Sequence, residues 1–141
     1  FLEKSFSPKG HFAGPKPFST FQQEIDRGYE VLKSLSKSDV GQSVVIQSGL
    51  ILAVEAIEGT DEMIKRAGKL KFSGLGPILV KAPKINQDMR FDQPVIGEQT
   101  IENVYKSGFS GIACKHKNVL IINLEKVIKL AEKRQITLFG F

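Results

Sequence analysis

The sequence has 141 residues, 41% of them apolar and 25% charged, a composition that fits one ordinary folded domain and excludes intrinsic disorder. No apolar run nears the roughly 20 residues of a membrane span, and a single cysteine, Cys114, beside two histidines excludes an internal disulfide and all but excludes a His/Cys zinc site. The net charge of +5 points to anionic partners: phosphates, nucleotides, nucleic acid or an anionic membrane face.

In chain order, residues 1–17 (FLEKSFSPKGHFAGPKP) mix prolines and glycines with scattered aromatics, which reads as an extended, irregular lead-in. The first residue is Phe1 rather than methionine. The expected organisation is a linker-like lead-in over 1–18, trailing from a missing N-terminal domain, then an α/β domain over 19–141. From Ser19 the pattern turns helical: Phe21, Ile25, Tyr29, Leu32 and Leu35 recur at three- and four-residue steps, with Ser19 or Thr20 as cap and the polar SKSD as stop. In QSVVIQSGLILAVEAIEG, two β-branched runs flank Ser48-Gly49, the signature of a hairpin. EGTDEMIKRAG starts a helix at Thr60, with acidic Asp61 and Glu62 in the first turn and Gly68 as stop. GPILVKAP is a short apolar strand of the kind buried on both faces.

After the polar stretch KINQDMRFDQPVIG, a helical stripe of Thr100, Ile101, Val104 and Tyr105 stops at Gly108. GIACKHKNVLIINL reads as a second hairpin turning around Lys115–Asn118, with Cys114 as a buried structural thiol. Asn123 can cap a last helix, LEKVIKLAEKRQ, and ITLFGF closes as a strand. The order α-ββ-α-β-α-ββ-α-β predicts an α/β fold: a mixed β-sheet with two hairpins packed by about four helices, a layered α/β domain.

Two polar clusters interrupt this framework where strands end, the side on which open α/β sheets bind ligands. The first holds Glu55, Glu58, Thr60 and Asp61. It reads either as a solvated edge glutamate beside a capped helix, or as a site where helix N-terminal amides meet a phosphate while Glu55 or Glu58 helps hold a divalent cation. Asp61 weighs against the latter, since its carboxylate can occupy those amides itself. The second cluster, Lys81 to Asp92, sets Asp88 and Asp92 four apart among Lys81, Lys84, Gln87 and Arg90. Paired carboxylates can share magnesium or orient a water for attack on phosphorus, and the cations suit phosphoryl oxygens. A polar surface loop with local Arg–Asp pairing is the plain alternative. Phosphate-loop, dinucleotide and nucleophile-elbow motifs are absent.

Asp39–Gly68 and Ile78–Glu102, continued through Ser107–Ala113 to the final FGF, resemble the C-terminal domain of LpxI-type UDP-2,3-diacylglucosamine pyrophosphatases. The blocks DVGQ, AVEAIEGTD and KAPKxxQDxRxDxPxIG carry the resemblance. It implies a cytoplasmic, magnesium-dependent hydrolase of lipid A biosynthesis in Gram-negative bacteria, in contact with the inner-membrane surface. Such an enzyme splits the diphosphate of UDP-2,3-diacylglucosamine to UMP and 2,3-diacylglucosamine 1-phosphate (lipid X), binding the glycolipid between two domains. An aspartate of the QDxRxD region is essential in the family, so Asp88, with Asp92 beside it, is expected as magnesium ligand or base for the water. Lys81, Lys84, Gln87, Arg90 and Thr60 are expected to meet substrate, and Glu55, Glu58 and Asp61 to be further metal candidates. This half alone is expected to turn nothing over, and its exposed apolar surface would favour self-association. The competing class is a non-catalytic module binding a nucleotide-sugar or anionic lipid. Nucleic-acid binding is not expected, because the aromatics fall in apolar stripes rather than on a basic platform.

Overall fold

The computed structural model describes residues 3–38, 40–84 and 93–141. Its described strands form two sheets, and the larger has six strands. Its centre is β3 (Ser43–Gln47), β5 (Ile78–Lys81) and β7 (Gly111–Cys114), every residue of which is buried. Such continuously buried strands, apolar except at Ser43, Gln47 and Lys81, arise where both faces of a sheet are covered. Outward from this centre lie β4 (Leu50–Val54) on one side, and β9 (Thr137–Gly140) and β2 (Gly10–Ala13) on the other, giving the order β2-β9-β7-β5-β3-β4. β5, β7 and β9 run parallel, while β3 is antiparallel to both β4 and β5 and β2 is antiparallel to β9. A smaller sheet joins β1 (Lys4–Phe6), β8 (Leu120–Ile122) and β6 (Val95–Ile96).

Strand alternation divides the apolar residues between two layers. Val44, Ile46, Ile78, Val80 and Ala113 face α1 (Phe21–Leu35), which contributes Phe21, Ile25 and Leu32. Val45, Leu79, Ile112 and Leu138 face the other way, toward α2 (Thr60–Gly68), α3 (Glu98–Lys106) and α4 (Leu124–Arg134). These helices supply Met63, Ile64, Ala67, Ile101, Val104, Val127 and Ala131, with Ile96 and Ile121 of the small sheet in the same core. The result is the expected layered α/β domain, with four α-helices among the described residues. Among the described residues no helix is long and apolar enough to cross a membrane.

The first hairpin forms as read. Ser48 (φ 48°) and Gly49 (φ 81°) both adopt left-handed backbone, the geometry a two-residue turn needs to match strand twist. The second hairpin does not form. β7 already has β5 and β9 on its two edges, so no edge remains for β8. The connection instead crosses between sheets, with Lys115 N–H donating to Lys81 O, His116 N–H to Phe141 O and Ser7 N–H to Val119 O. The lead-in is also more regular than its prolines suggested: β1 pairs with β8 and β2 with β9. Pro8, Pro15 and Pro17 lie outside these strands, where their missing donors cost no ladder bond. Neither pairing leaves a local signal, because both partners lie more than a hundred residues downstream. At the last helix, Asn123 occupies the cap position with φ 57° but makes no side-chain cap hydrogen bond. Thr20 likewise precedes α1 without one.

Candidate active site

β4, β5, β7 and β9 all deliver their carboxyl ends to one edge of the large sheet. Ser43, at the start of β3, reaches the same edge and pairs in register with Lys81, which in turn pairs with Cys114. Beyond β4, Glu55 donates its N–H to Ser43 O at 2.9 Å, holding the strand end against β3. Gly59 then turns the chain with φ 87° into α2, a conformation glycine adopts without penalty. Asp61 and Glu62 in the first turn and Lys65 and Arg66 in the last complement the helix dipole. The local sequence thus brings the first turn of α2 beside the ends of β4 and β5.

At this edge a line of side chains connects three elements. Alternation turns Lys81, like Leu79, toward α2, and it is 5% exposed. Its Nζ donates to Thr60 Oγ1 at 2.7 Å and to Ser43 Oγ at 3.3 Å, and Thr60 Oγ1 donates to Glu55 Oε1. An ammonium cannot accept and an ionised carboxylate cannot donate, so the direction runs from Lys81 through Thr60 to Glu55. Burial pushes the Lys81 pKa below 10.5, opposed by the charge of Glu55, by Cys114 once its thiol ionises, and by Asp61. No buried side-chain nitrogen or oxygen among the described residues lacks a hydrogen-bond partner.

The sequence-derived candidates fare unequally. Glu55, Thr60 and Lys81 come together. Lys81, expected to meet the diphosphate, is instead enclosed and occupied by protein hydroxyls, because the strand period points it into the sheet–helix interface. Glu58 is turned away: Arg66 grips its carboxylate through Nη2 and Nε (3.3 Å) and also donates to Val54 O at 3.1 Å. The guanidinium holds the Glu58 carboxyl below its ordinary range. Asp61 is exposed, and Lys84 is partly buried just beyond β5. Gln87, Asp88, Arg90 and Asp92 lie outside the described residues. Ser43 was missed by sequence reasoning, since its role comes from cross-strand register with Lys81 and leaves no local mark. Gly41, within the DVGQ block, was also missed; a methyl there would stand 2.2 Å from Glu55 O.

The described carboxylates do not fit a magnesium ion by themselves. Among the described residues no group of three or more His, Cys, Asp or Glu could hold a metal. Glu58 is committed to Arg66, and the Glu55 oxygen engaged by Thr60 sits beside the buried Lys81 cation, which repels a second cation. A surface hollow lined by Thr20, Gln23, Glu24, Arg27, Ser48 and Gly49 lies at the other end of β3. There Glu24 accepts the Gly49 N–H at 2.7 Å, a contact that ties α1 to the hairpin turn.

Cys114 is fully buried, and burial pushes its thiol from 9.0 up to about 12, opposed by Lys81. It is therefore no nucleophile, as the sequence suggested. The folded state holds this proton between those values while the unfolded chain releases it, so the thiol's contribution to stability is complete below pH 9 and is lost as pH rises toward 12. From pH 7 to pH 10 the wild type is expected to lose about 1 kcal/mol that Cys114→Ala does not lose. Lys81 acts in the opposite sense but is common to both proteins. Urea unfolding at the two pH values checks this, and equal losses in both proteins would refute it.

A family model described as the LpxI C-terminal domain matches residues 8–139. The UDP-2,3-diacylglucosamine pyrophosphatase LpxI of Caulobacter vibrioides is 34% identical over 139 residues, an alignment covering 94% of this chain and 50% of that protein. The chain thus spans about half the length of this curated relative.

Proposed function

The chain belongs to the LpxI family, matching its C-terminal domain, and from that premise we propose that it is the catalytic C-terminal half of a UDP-2,3-diacylglucosamine pyrophosphatase. The reaction is attack of water on the diphosphate, releasing UMP and 2,3-diacylglucosamine 1-phosphate in lipid A biosynthesis. The observation that carries this reading is the extent of the family match, which takes in both polar clusters at once.

In this reading the edge formed by β4, β5 and the first turn of α2 is one wall of the substrate cleft, and an N-terminal domain supplies the other. Asp88 and Asp92 orient the attacking water, and Lys84, Gln87 and Arg90 meet the phosphoryl oxygens as charge develops there. Magnesium, expected from the family resemblance, would have to draw its ligands mainly from Asp88 and Asp92, since the described carboxylates do not gather around a cation. Reaction requires both walls to hold water and phosphorus in line, so this half alone is expected to be inactive.

The test is incubation of the full-length protein with UDP-2,3-diacylglucosamine, with and without magnesium. UMP and the acylated sugar phosphate should appear with the metal and fall sharply when it is chelated. Absence of UMP under all metals would remove the pyrophosphatase reading, and undiminished rates in chelator would remove magnesium alone. A cytoplasmic location in a Gram-negative cell, a homo-oligomer and transient contact with the inner membrane complete the proposal. Cell fractionation, light scattering and vesicle co-sedimentation of the full-length protein check these.

A further inference from the structure

We propose that Lys81 is a positioning residue rather than a ligand of the diphosphate, acting on the reaction through Thr60 by locking Glu55 and the first turn of α2 to the strand ends. This rests on the reading that the edge lines the cleft. Lys81 is 5% exposed, and its Nζ is engaged by Thr60 and Ser43, hydroxyls from two different elements. A substrate oxygen approaching from solvent would meet a nearly enclosed ammonium with two of its three N–H groups already committed.

The arrangement has one consistent polarity. Because Lys81 is donor-only, Thr60 Oγ1 must accept from it, and the single hydroxyl proton of Thr60 is left for Glu55. Charge-assisted hydrogen bonds at both ends of one hydroxyl restrict its rotation. Thr60 is the first residue of α2, and the cap residue before it, Gly59, has no side chain to fix the helix start. The line from Lys81 therefore anchors the first residue of α2 to the strand ends, without satisfying the free N–H groups of its first turn. It also ties Glu55, Thr60, Lys81 and Ser43 into one unit spanning β4, α2, β5 and β3. Any group of this unit that faces substrate inherits its position from the buried ammonium.

The experiment compares Thr60→Val and Thr60→Ser with wild type in the full-length enzyme. Valine keeps the shape and removes the hydroxyl; serine keeps the hydroxyl. Thr60→Val is expected to lower kcat about thirtyfold, in the range for loss of a charge-assisted hydrogen bond, with KM within about twofold. Thr60→Ser should recover to within about threefold of wild type. A Thr60→Val enzyme with normal kcat, or one in which only KM rises, would overturn the proposal. So would Thr60→Ser failing as badly as valine, since the hydroxyl would then not be the operative group.

A second readout needs no turnover: the Lys81 side-chain ammonium in nitrogen-15 NMR of this 141-residue chain. Exchange-protected Nζ protons in wild type that lose protection in Thr60→Val support the proposal, and unprotected protons in wild type overturn it. Should wild-type full-length protein show no pyrophosphatase activity, the functional reading fails by that result. The ammonium signal then still decides whether Lys81 is locked by Thr60.

Discussion

Replacing Asp88 by alanine in the full-length enzyme is expected to lower turnover on UDP-2,3-diacylglucosamine about a thousandfold, a loss of about 4 kcal/mol of transition-state stabilisation. Several observations converge on this residue. The QDxRxD block that contains it follows β5, the strand that ends at Lys81 among Glu55, Thr60 and Ser43. The carboxylates described at that edge are poor candidates for the chemistry themselves. Glu58 is held by Arg66, and Glu55 accepts from Thr60 within a line that begins at a buried cation. Of the described carboxylates at this edge only Asp61 is left uncommitted by these contacts, and Asp88 and Asp92, the nearest carboxylates in the chain beyond β5, supply the pair that a base and metal ligand require. Loss of a group that acts only in the transition state lowers kcat and kcat/KM together, while circular dichroism and the unfolding midpoint should stay near wild type. Weakened substrate binding with near-normal maximal turnover would instead favour the non-catalytic binding module and place the chemistry in the other half of the enzyme.

Much of the fold was legible because it rests on local periodicity. The stripe from Phe21 to Leu35, the left-handed pair Ser48-Gly49 and the acidic first turn after Thr60 each dictate an element within a few residues. What failed were the decisions that depend on remote partners. GIAC and NVLII look like two arms of a hairpin, yet β7 spends both edges on β5 and β9, and those pairings are set by strands 33 residues before it and 26 after. Lys4–Phe6 and Gly10–Ala13 become strands only because the far end of the chain offers them edges.

The site followed the same division. Both polar clusters could be found by charge alone, and Glu55, Thr60 and Lys81 do converge. Their roles could not be found that way. Whether Lys81 faces a ligand or the interior depends on which way an alternating strand is turned, and the engagement of Glu58 depends on Arg66 of α2, eight residues further along the chain. Composition identifies which groups are present; packing decides which of them still face solvent.

A substitution that carries no charge and touches no substrate should show how closely this edge is set. Gly41→Ala is expected to lower kcat about a hundredfold at a temperature where the protein is fully folded, the scale of loss that displacement by about 1 Å can produce. The added methyl would lie 2.2 Å from Glu55 O, 2.9 Å from Glu55 C and 3.0 Å from Glu55 Cβ. Two of the three are backbone atoms, so a rotamer change cannot relieve the contact. Relief requires the end of β4 to move away from the segment entering β3, and that end is fixed by the Glu55 N–H to Ser43 O bond. Overpacking of this kind costs about 1–3 kcal/mol, so the unfolding midpoint should fall as well. The two effects separate by comparison with a core truncation remote from the edge. Ile25→Val in α1, fully buried against the other face of the sheet, should cost about 1 kcal/mol and leave kcat unchanged while folded. If Gly41→Ala loses stability yet keeps kcat, the position of Glu55 is irrelevant to turnover and the edge of β4 is not part of the cleft. If kcat falls while Ile25→Val retains it, displacement of Glu55, and with it the Thr60–Lys81 line, is the cause.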